Sequence, residues 1–516
     1  MNLSMIIDIP AMIVPDQVAV SGDGRDETYA ELRDASGRFA TLFAQAGIGP
    51  GDRVGVFATN RISTLHAMFG TLLLGAAVVP MNYRARGDEI GHYLRDSGAS
   101  LIVTEDMYVD SIVAAGMSRD RVLTLKEAEE KAAGLESLED AADVDETSVG
   151  ILLYTSGTTS LPKGVMLTHD GFTNYVMGQG EAADGTTEGR ALLAAPMYHV
   201  AGLSAMTVSL FTGRHLTVID FEAGRWLKAV EDNQITHAFV VPSMASLLLR
   251  HADFDKTDLS SLQMLTYGAA PMPPAVLHEM LERFPKTISF SAAYGQTETN
   301  STVAVLGAED HRLEGTPEEI ELKKTRLASV GKPLDDVEIR IIAEDGQVAA
   351  PNVTGEVFLR TGRTMAGYWG KGVEGTRVTL DEERWVHTGD LGHLDEGGYL
   401  FLTGRASDLI IRGGENISPS EIDAVLDTHP AVEEAAAFGV LDDQWGERVE
   451  AAVRLLPGAT VTEDELIALC KTQLSGAKRP ERIYIVDDFP RTATGKVLRR
   501  VMAKEYGPKP TADVAG

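Results

Sequence analysis

Cysteine is nearly absent from this sequence. Cys470 is the only one among 516 residues, which excludes an internal disulfide framework and any cysteine-clustered metal site. Its surroundings, EDELIALCKTQL, put Leu466, Leu469, Cys470 and Leu474 on one helical face. Cys470 therefore reads as core packing and not as a nucleophile. Positive charge is also scarce: 46 Lys and Arg against 76 Asp and Glu give a formal net charge of −30. A general binder of nucleic acid or anionic membrane needs a basic face, so no nucleic-acid partner is expected and the acidity serves solubility. Long apolar runs are missing too. The longest, AMFGTLLLGAAVVP (Ala67 to Pro80), is too short to span a bilayer and reads as a buried helix feeding a strand. No transmembrane segment is expected. The start, MNLSMIIDIP, has no basic region and no sustained apolar core, so it does not read as a secretory signal. The end, TADVAG, is not a peroxisomal address. Repeats and low-complexity tracts are absent, and the expected location is the cytoplasm.

What is present is an ordinary globular composition, 44 % hydrophobic and 24 % charged. The length exceeds what one core accommodates, so two or more domains are expected. Thr28 and Glu31 form a capping-box pattern, followed by Leu32, Ala35, Phe39, Leu42, Phe43 and Ala46 at helical spacing, with Gly47 as the stop. DRVGVFA (Asp52 to Ala58), SLIVTE (Ser100 to Glu105) and THAFVVP (Thr236 to Pro242) read as strands between helices. That alternation predicts α/β layers with parallel sheets. From about Ser329 the texture changes: VEIRII, GEVFLR and GYLFLT are short strands between Gly-rich turns, predicting a smaller β-rich part. After GRASD (Gly404 to Asp408) helices and strands resume for about one more small domain.

The stretch ILLYTSGTTSLPKGVMLTHD, residues 151–170, has the densest cluster of small donors. A loop leaving a strand can aim consecutive amides and hydroxyls at phosphate oxygens, and glycine lets the backbone come close. TSGTTSLPKG (Thr155 to Gly164) has that composition and adds Lys163; the residues after it could start a helix. It is not a Walker A loop, because the Gly-Lys-Ser/Thr order and spacing are missing. On composition alone, a solvated Ser/Gly turn is the plain alternative.

YTSGTTSLPKG resembles the phosphate loop of the adenylate-forming superfamily, which includes acyl-CoA synthetases, peptide-synthetase adenylation domains and beetle luciferases. In chain order follow PMYHVAGL (196–203), YGAAP (267–271), YGQTE (294–298), GEVFLRT (355–361), TGD (388–390), GRASDLIIRGGENISPSEID (404–423) and PRTATGKVLRR (490–500). The ordered set covers the chain from about residue 28 to 500. The resemblance implies an α/β fold. Residues 1–404 would form a large N-terminal domain of layered α/β subdomains, with a β-barrel-like subdomain at about 329–404. A hinge at 405–408 and a small mobile α+β C-terminal domain at 409–516 would follow.

The implied chemistry is ATP-dependent ligation of a carboxylate to CoA through an acyl-adenylate. No protein nucleophile is required; the catalyst positions substrates and stabilises spreading phosphate charge. By resemblance, Thr155, Ser156, Gly157, Thr158, Thr159 and Lys163 would hold the β- and γ-phosphates. Thr297 would meet the α-phosphate or the substrate carboxylate, and Glu298 would hold Mg²⁺. Tyr294 would lie against adenine, with Gly268, Ala269 and Gly295 leaving room. Asp390 would accept from the ribose hydroxyls, Arg405 would hold ribose or phosphate, and Lys496 would bring a cation to the meeting anions during adenylation. Taken alone, TGD reads as a turn, Lys163 as a surface charge and Glu298 as a helix-cap partner.

His199, in the same resemblance, contacts the substrate without acid–base work; alone it reads as packed or capping. Val200, Ala201, Gly202 and Ala293, with Gly268 and Ala269, would line the acyl pocket. Their size favours an apolar aliphatic, alicyclic or aromatic monocarboxylate. Gly413, Gly414, Glu415, Trp445, Lys478 and Arg479 would meet CoA, with ordinary packing the alternative for Trp445. Two positions depart from the common pattern: Ser160 stands where the loop usually has glycine, and Ser407 stands at the hinge where relatives carry Asp or Lys. An adenylating enzyme that loads a separate carrier protein is the alternative function. A non-catalytic nucleotide-binding regulator is disfavoured by the retained Lys163, Glu298, Asp390, Arg405 and Lys496. The acid and the oligomeric state stay open, a homodimer being one option.

Overall fold

The capping box at Thr28 forms as its spacing predicts. Its side chain accepts from the Glu31 amide and the Glu31 carboxylate takes the Thr28 amide, starting helix Tyr29–Gln45. Gly47, at φ 86°, lies just past the end. The computed structural model describes residues 1–155, 161–186, 189–377, 379–442, 444–491 and 497–506. The apolar stretch through Ala67 becomes helix Ile62–Leu73, buried at every position, and then the buried strand Ala77–Pro80. Among the described residues no helix is long and apolar enough to cross a membrane.

Two large sheets form the N-terminal body, drawn from residues before 337 except for strand Gly367–Tyr368. Among the described residues, one has nine strands, with Arg190–Leu193, His215–Val218, His237–Val240, Met264–Gly268 and Ser289–Gln296 running parallel in its interior. The other has seven, built around Arg53–Phe57, Ala77–Pro80, Leu101–Thr104 and Val149–Thr155. Helices such as Tyr29–Gln45 and Ile62–Leu73 pack between layers, as the alternating pattern requires. The predicted strands are all there: Arg53–Phe57, Leu101–Thr104 and His237–Val240.

An antiparallel sheet follows, ordered Val337–Ile342, Gly355–Thr361, Val386–Leu394, Leu400–Arg405. Its apolar face is not a separate core: Val337, Val357, Leu359, Val386 and Leu400 join the cluster that contains Ile62 and Phe69. Val386–Leu394 corrects one sequence reading. TGD is not a free-standing turn but the middle of this strand, whose buried and half-buried positions alternate. The buried positions include the polar Thr388 and Asp390, so no apolar alternation marks it.

From Ile410 onward the apolar side chains bury among themselves. Ile410, Ile422, Val449 and Cys470 share one cluster, and Phe438, Phe489 and Met502 another. The sheet there holds Ile410–Arg412, Glu415–Ile417, Val432–Asp442, Gly446–Leu455 and Arg482–Val486. Cys470 is fully buried on helix Glu463–Gln473. Burial pushes its thiol up to about 11, far from the range of a reactive thiolate. Arg250, on the N-terminal body, forms an ion pair with the buried carboxylate of Glu433 in this C-terminal body.

Candidate active site

The strands Met264–Gly268 and Ser289–Gln296 run parallel, with Gly268 opposite Ala293. Ligands of parallel sheets gather outside such carboxyl ends. Two of the predicted glycines have steric reasons. A Cβ on Gly268 would stand 2.3 Å from the Ala293 carbonyl oxygen, and one on Gly295 1.9 Å from that of Ser301. Ala269 follows at φ 70°, a left-handed conformation that non-glycine residues seldom adopt. It is held there at the exposed edge of the strand end, the kind of strain that clusters at functional sites.

Asp390 sits between two donors from distant parts of the chain. The Tyr294 hydroxyl donates to its Oδ2 at 2.7 Å and the Arg405 Nε meets its Oδ1 at 2.8 Å. The strand pairing sets this up, because Asp390 and Arg405 face each other across Val386–Leu394 and Leu400–Arg405. The Asp390 amide donates to Thr388 Oγ1 at 3.0 Å. Burial, then Asp390, raises the Tyr294 phenol well above its ordinary value, so it remains a donor. Burial works against the Arg405 charge, but Asp390 and Tyr294 keep its pKa above the usual value. Each carboxylate oxygen has a second acceptor direction, so both donors can stay while Asp390 takes further hydroxyls.

Past Tyr294 the chain makes a single 3₁₀ turn, Thr297–Thr299, with Thr297 buried. Asn300 and Ser301, at φ 54° and 100°, reverse the chain. A buried guanidinium clamps this reversal: Arg363 donates to the carbonyls of Thr299 at 2.8 Å and Thr302 at 2.7 Å, and pairs with Asp336 at 2.6 Å. Asn300 Nδ2 returns a hydrogen bond to the Arg363 carbonyl. Glu298 is half-buried and its Oε1 accepts from the Tyr368 hydroxyl at 2.8 Å. Lys163 Nζ lies 5.0 Å from the centroid of the same ring.

Lys163 does not precede a helix. It opens strand Lys163–Thr168, which runs antiparallel to Val149–Thr155 and sets Lys163 opposite Thr155. The period-two burial of Val165 and Leu167 selects the strand; the helix waits until His169, capped by Thr168. His92 Nε2 lies 2.7 Å from the Pro162 carbonyl at the loop's exit. Ser156, Gly157, Thr158, Thr159 and Ser160, and also Lys496, lie outside the described residues.

Glu298 suits Mg²⁺. Its Oε1 is oriented by a hydroxyl, and no protein group reaches its other oxygen among the described residues. No group of three or more His, Cys, Asp or Glu that could cage a metal occurs among them. A single carboxylate completed by substrate phosphates is the usual Mg²⁺ arrangement.

On the acyl side, His199 caps helix Val200–Phe211, its Nδ1 accepting from the Ala201 amide at 3.2 Å. Burial holds its pKa at about 4, so the imidazole is neutral near pH 7. Val200 packs into the main core. A Cβ on Gly202 would stand 2.2 Å from the Pro196 carbonyl oxygen. The small size of Gly202 thus has a packing reason of its own, while His199, Ala201 and Ala293 are half-buried.

In the C-terminal body a cleft of about 310 Å³ is lined by Arg412, Gly413, Glu415, Trp445, Gly476 and Ala477. Gly413 and Gly414 adopt φ 60° and 89°, and the Gly413 amide donates to the Trp445 carbonyl at 2.7 Å. The indole of Trp445 is 46 % exposed, with the Arg412 guanidinium 5.9 Å from its centroid. The predicted phosphate-binding cations point to other partners. Arg479 donates to the carbonyls of Leu474 and Lys471 at 2.9 and 3.2 Å, closing the end of a helix. Lys478 pairs with Glu421 at 2.5 Å. Arg412 lines the cleft, but its guanidinium is likewise taken up, by the Ala477 carbonyl and the Glu481 carboxylate, each at 2.9 Å. Ser407 lies in the exposed 3₁₀ turn Ala406–Asp408, its carbonyl accepting from Arg500 at 3.2 Å. Tyr368, Arg363 and Asp336 were also missed, since their partners are remote in sequence.

Comparison with known proteins identifies the chain's family. Residues 11–369 match the AMP-binding enzyme family and residues 421–496 the AMP-binding enzyme C-terminal domain. The chain is 36 % identical over 503 residues to the 2-succinylbenzoate–CoA ligase of Geobacillus kaustophilus, covering 96 % of each. It is 34 % identical over 499 residues to the feruloyl-CoA synthase of an Amycolatopsis species, covering 96 % of this chain and 97 % of the other. The o-succinylbenzoate CoA synthetase of Bacillus subtilis, solved with its acyl-adenylate intermediate, superposes with a TM-score of 0.83 at 30 % identity over 97 % of both chains. The chain belongs to the AMP-binding enzyme family, within the adenylate-forming superfamily of acyl-CoA synthetases.

Proposed function

We propose that this acid–thiol ligase joins an apolar aliphatic, alicyclic or aromatic monocarboxylate to CoA in two half-reactions. In the first, a carboxylate oxygen attacks the α-phosphorus of ATP; a P–O bond forms, the α–β bridge breaks, and pyrophosphate leaves. In the second, the CoA sulfur attacks the acyl carbonyl as a thiolate and AMP departs with the electron pair of the broken C–O bond. Neither step needs a protein nucleophile, so the residues act by holding charge and geometry.

Asp390 would receive the ribose hydroxyls while Tyr294 and Arg405 keep it in place. The strand-end backbone at Gly268, Ala269 and Gly295 would admit the adenine, and Thr297 would hold the α-phosphate or carboxylate. Thr155 to Thr159 with Lys163 would hold the outer phosphates, and Lys496 would screen the two anions that must meet. Mg²⁺ held at Glu298 would supply charge neutralisation for the phosphates. His199, neutral, Ala201 and Ala293 would border the acyl group. The cleft at Gly413, Gly414, Glu415 and Trp445 would take CoA, with Arg479 at its margin. We divide the chain at 1–404, a hinge at 405–408 centred on Ser407, and 409–516. Lys496 and the Gly413 cleft are both carried by the last part, which would turn between half-reactions.

The observation that carries the reading is the pairing, on one chain, of the Tyr294–Asp390–Arg405 arrangement at the strand ends with the Trp445 cleft. The test is a panel of such carboxylates with ATP and Mg²⁺, with and without free CoA, assayed for thioester and AMP. Thioester that depends on free CoA is expected. AMP release that ignores CoA but needs an acyl-carrier protein would assign the carrier-loading function instead.

A further inference from the structure

One aromatic ring touches both charges proposed for the phosphate end. Tyr368 is 6 % exposed. Its hydroxyl donates to Glu298 Oε1 at 2.8 Å and its face looks toward Lys163 Nζ, 5.0 Å from the centroid. An ammonium over a tyrosine face within about 6 Å is attracted by the ring quadrupole. Opposite charges so near one another would ordinarily pair. Yet among the described residues no ion pair joins Lys163 to Glu298 or to another carboxylate. The ring gives each charge a neutral partner instead.

The backbone around the ring is pinned to both carriers. Strand Gly367–Tyr368 pairs antiparallel with Val165 and Met166, so Tyr368 stands beside the strand that Lys163 opens. The Trp369 amide donates to the Gly164 carbonyl at 2.8 Å, and the Met365 amide to the Glu298 carbonyl at 2.9 Å. The Tyr368 amide is held by Thr376 Oγ1 at 3.1 Å, and Thr379 Oγ1 lies 3.4 Å from its hydroxyl. Simple core filling would be served by phenylalanine. The hydroxyl, aimed at a half-buried carboxylate from a buried ring, is what packing does not explain.

We propose that Tyr368 is a positioning residue that keeps Lys163 and Glu298 apart and aims each at the metal–triphosphate. This rests on the proposed roles of those two residues. The Tyr368 hydroxyl fixes the rotamer of Glu298 so that its other oxygen faces the ion, as outer partners of metal ligands do. The ring face holds the Lys163 ammonium without neutralising it.

The test compares Tyr368→Phe, which removes only the hydroxyl, with Tyr368→Leu, Glu298→Gln and Lys163→Ala. The probes are Mn²⁺ binding in the presence of a non-hydrolysable ATP analogue, read by electron paramagnetic resonance, and the Mg²⁺ dependence of pyrophosphate release. Tyr368→Phe should weaken metal binding about tenfold, at the low end for an outer partner of a ligand. Its metal-free unfolding midpoint should stay near wild type. Tyr368→Leu should add a loss of nucleotide affinity resembling that of Lys163→Ala. In the double variant, Tyr368→Phe should add nothing to Glu298→Gln. If Glu298→Gln impairs metal binding and Tyr368→Phe does not, the inference is overturned while the site stands. Wild-type metal binding in Glu298→Gln would overturn the role of Glu298 and this inference with it.

Discussion

At the strand ends of the N-terminal body, Tyr294, Asp390 and Arg405 satisfy one another, with Asp390 5 % exposed. In the C-terminal body the cleft is walled by an indole 46 % exposed and by the left-handed Gly413, whose amide is held by the Trp445 carbonyl. The first region is finished before any ligand arrives. The second offers a shape whose one lining guanidinium, Arg412, is already paired with Glu481 and the Ala477 carbonyl, and leaves much of its apolar wall in water. Preformed dipoles and charges suit a step in which phosphate charge must be met without reorganisation. An open wall suits a ligand that arrives, docks and leaves in each cycle.

Variants that break this contrast are ordered by expected effect. Lys496→Ala should lower acyl-adenylate formation by about 10²- to 10³-fold, the range for losing one preorganised charge partner. Thioester formation from preformed adenylate should be spared; equal loss in both would point to a folding or hinge defect. Asp390→Ala should raise the KM for ATP by more than about tenfold, since hydrogen bonds to a charged group contribute roughly 1.5–3 kcal/mol. Its KM for CoA should not move. A matching rise in both constants would erase the distinction between the two regions.

Ser407→Pro probes the link between them. Ser407 sits in a 3₁₀ turn, where φ already suits proline, so the substitution should hold the present arrangement. One half-reaction should survive while the complete cycle slows severalfold; unchanged rates in stopped-flow and single-turnover assays would move the pivot elsewhere. Trp445→Ala should raise the KM for CoA about two- to twelvefold, as expected from roughly 0.5–1.5 kcal/mol of lost stacking. ATP–pyrophosphate exchange should stay near normal, and unchanged CoA dependence would return Trp445 to packing.

The last effect concerns pH and acts on stability, not on either half-reaction. Burial, then Asp423 and Glu434, pushes Asp427 up to about 8, and its Oδ1 is buried without a partner. The folded chain therefore keeps a proton that the unfolded chain releases near about pH 4. The stability this contributes is complete below that point and is lost as pH rises toward 8. Asp427→Asn should flatten the fall in unfolding temperature of the C-terminal body between about pH 5 and 8. An unaltered slope would refute the assignment.

Local chemistry was legible in the sequence. The Thr28 box, the buried Ile62–Leu73 helix and the strands around Val54, Ile102 and Phe239 follow from spacing and side-chain type. The ordered motifs also carried the family, because each is short and contiguous. What was hidden depends on contacts between distant segments. The Tyr294–Asp390 bond spans 96 residues and Tyr368–Glu298 spans 70. No local pattern marks Arg363 as the clamp of the Thr299–Thr302 reversal, or distinguishes Arg479, which closes a helix, from Arg412, which lines the cleft. The residues after Gly164 suggest a helix start because His169 follows closely, whereas Val165 and Leu167 first alternate as a strand.

The most direct measurement is a quenched single turnover of the wild-type enzyme with ATP, Mg²⁺ and an accepted carboxylate, CoA being withheld and then added. The account predicts pyrophosphate and enzyme-bound acyl-adenylate in amounts equal to the enzyme before CoA, then thioester and AMP together on its addition. Pyrophosphate that appears only after CoA is added, or bound adenylate that CoA fails to convert to thioester, would contradict it.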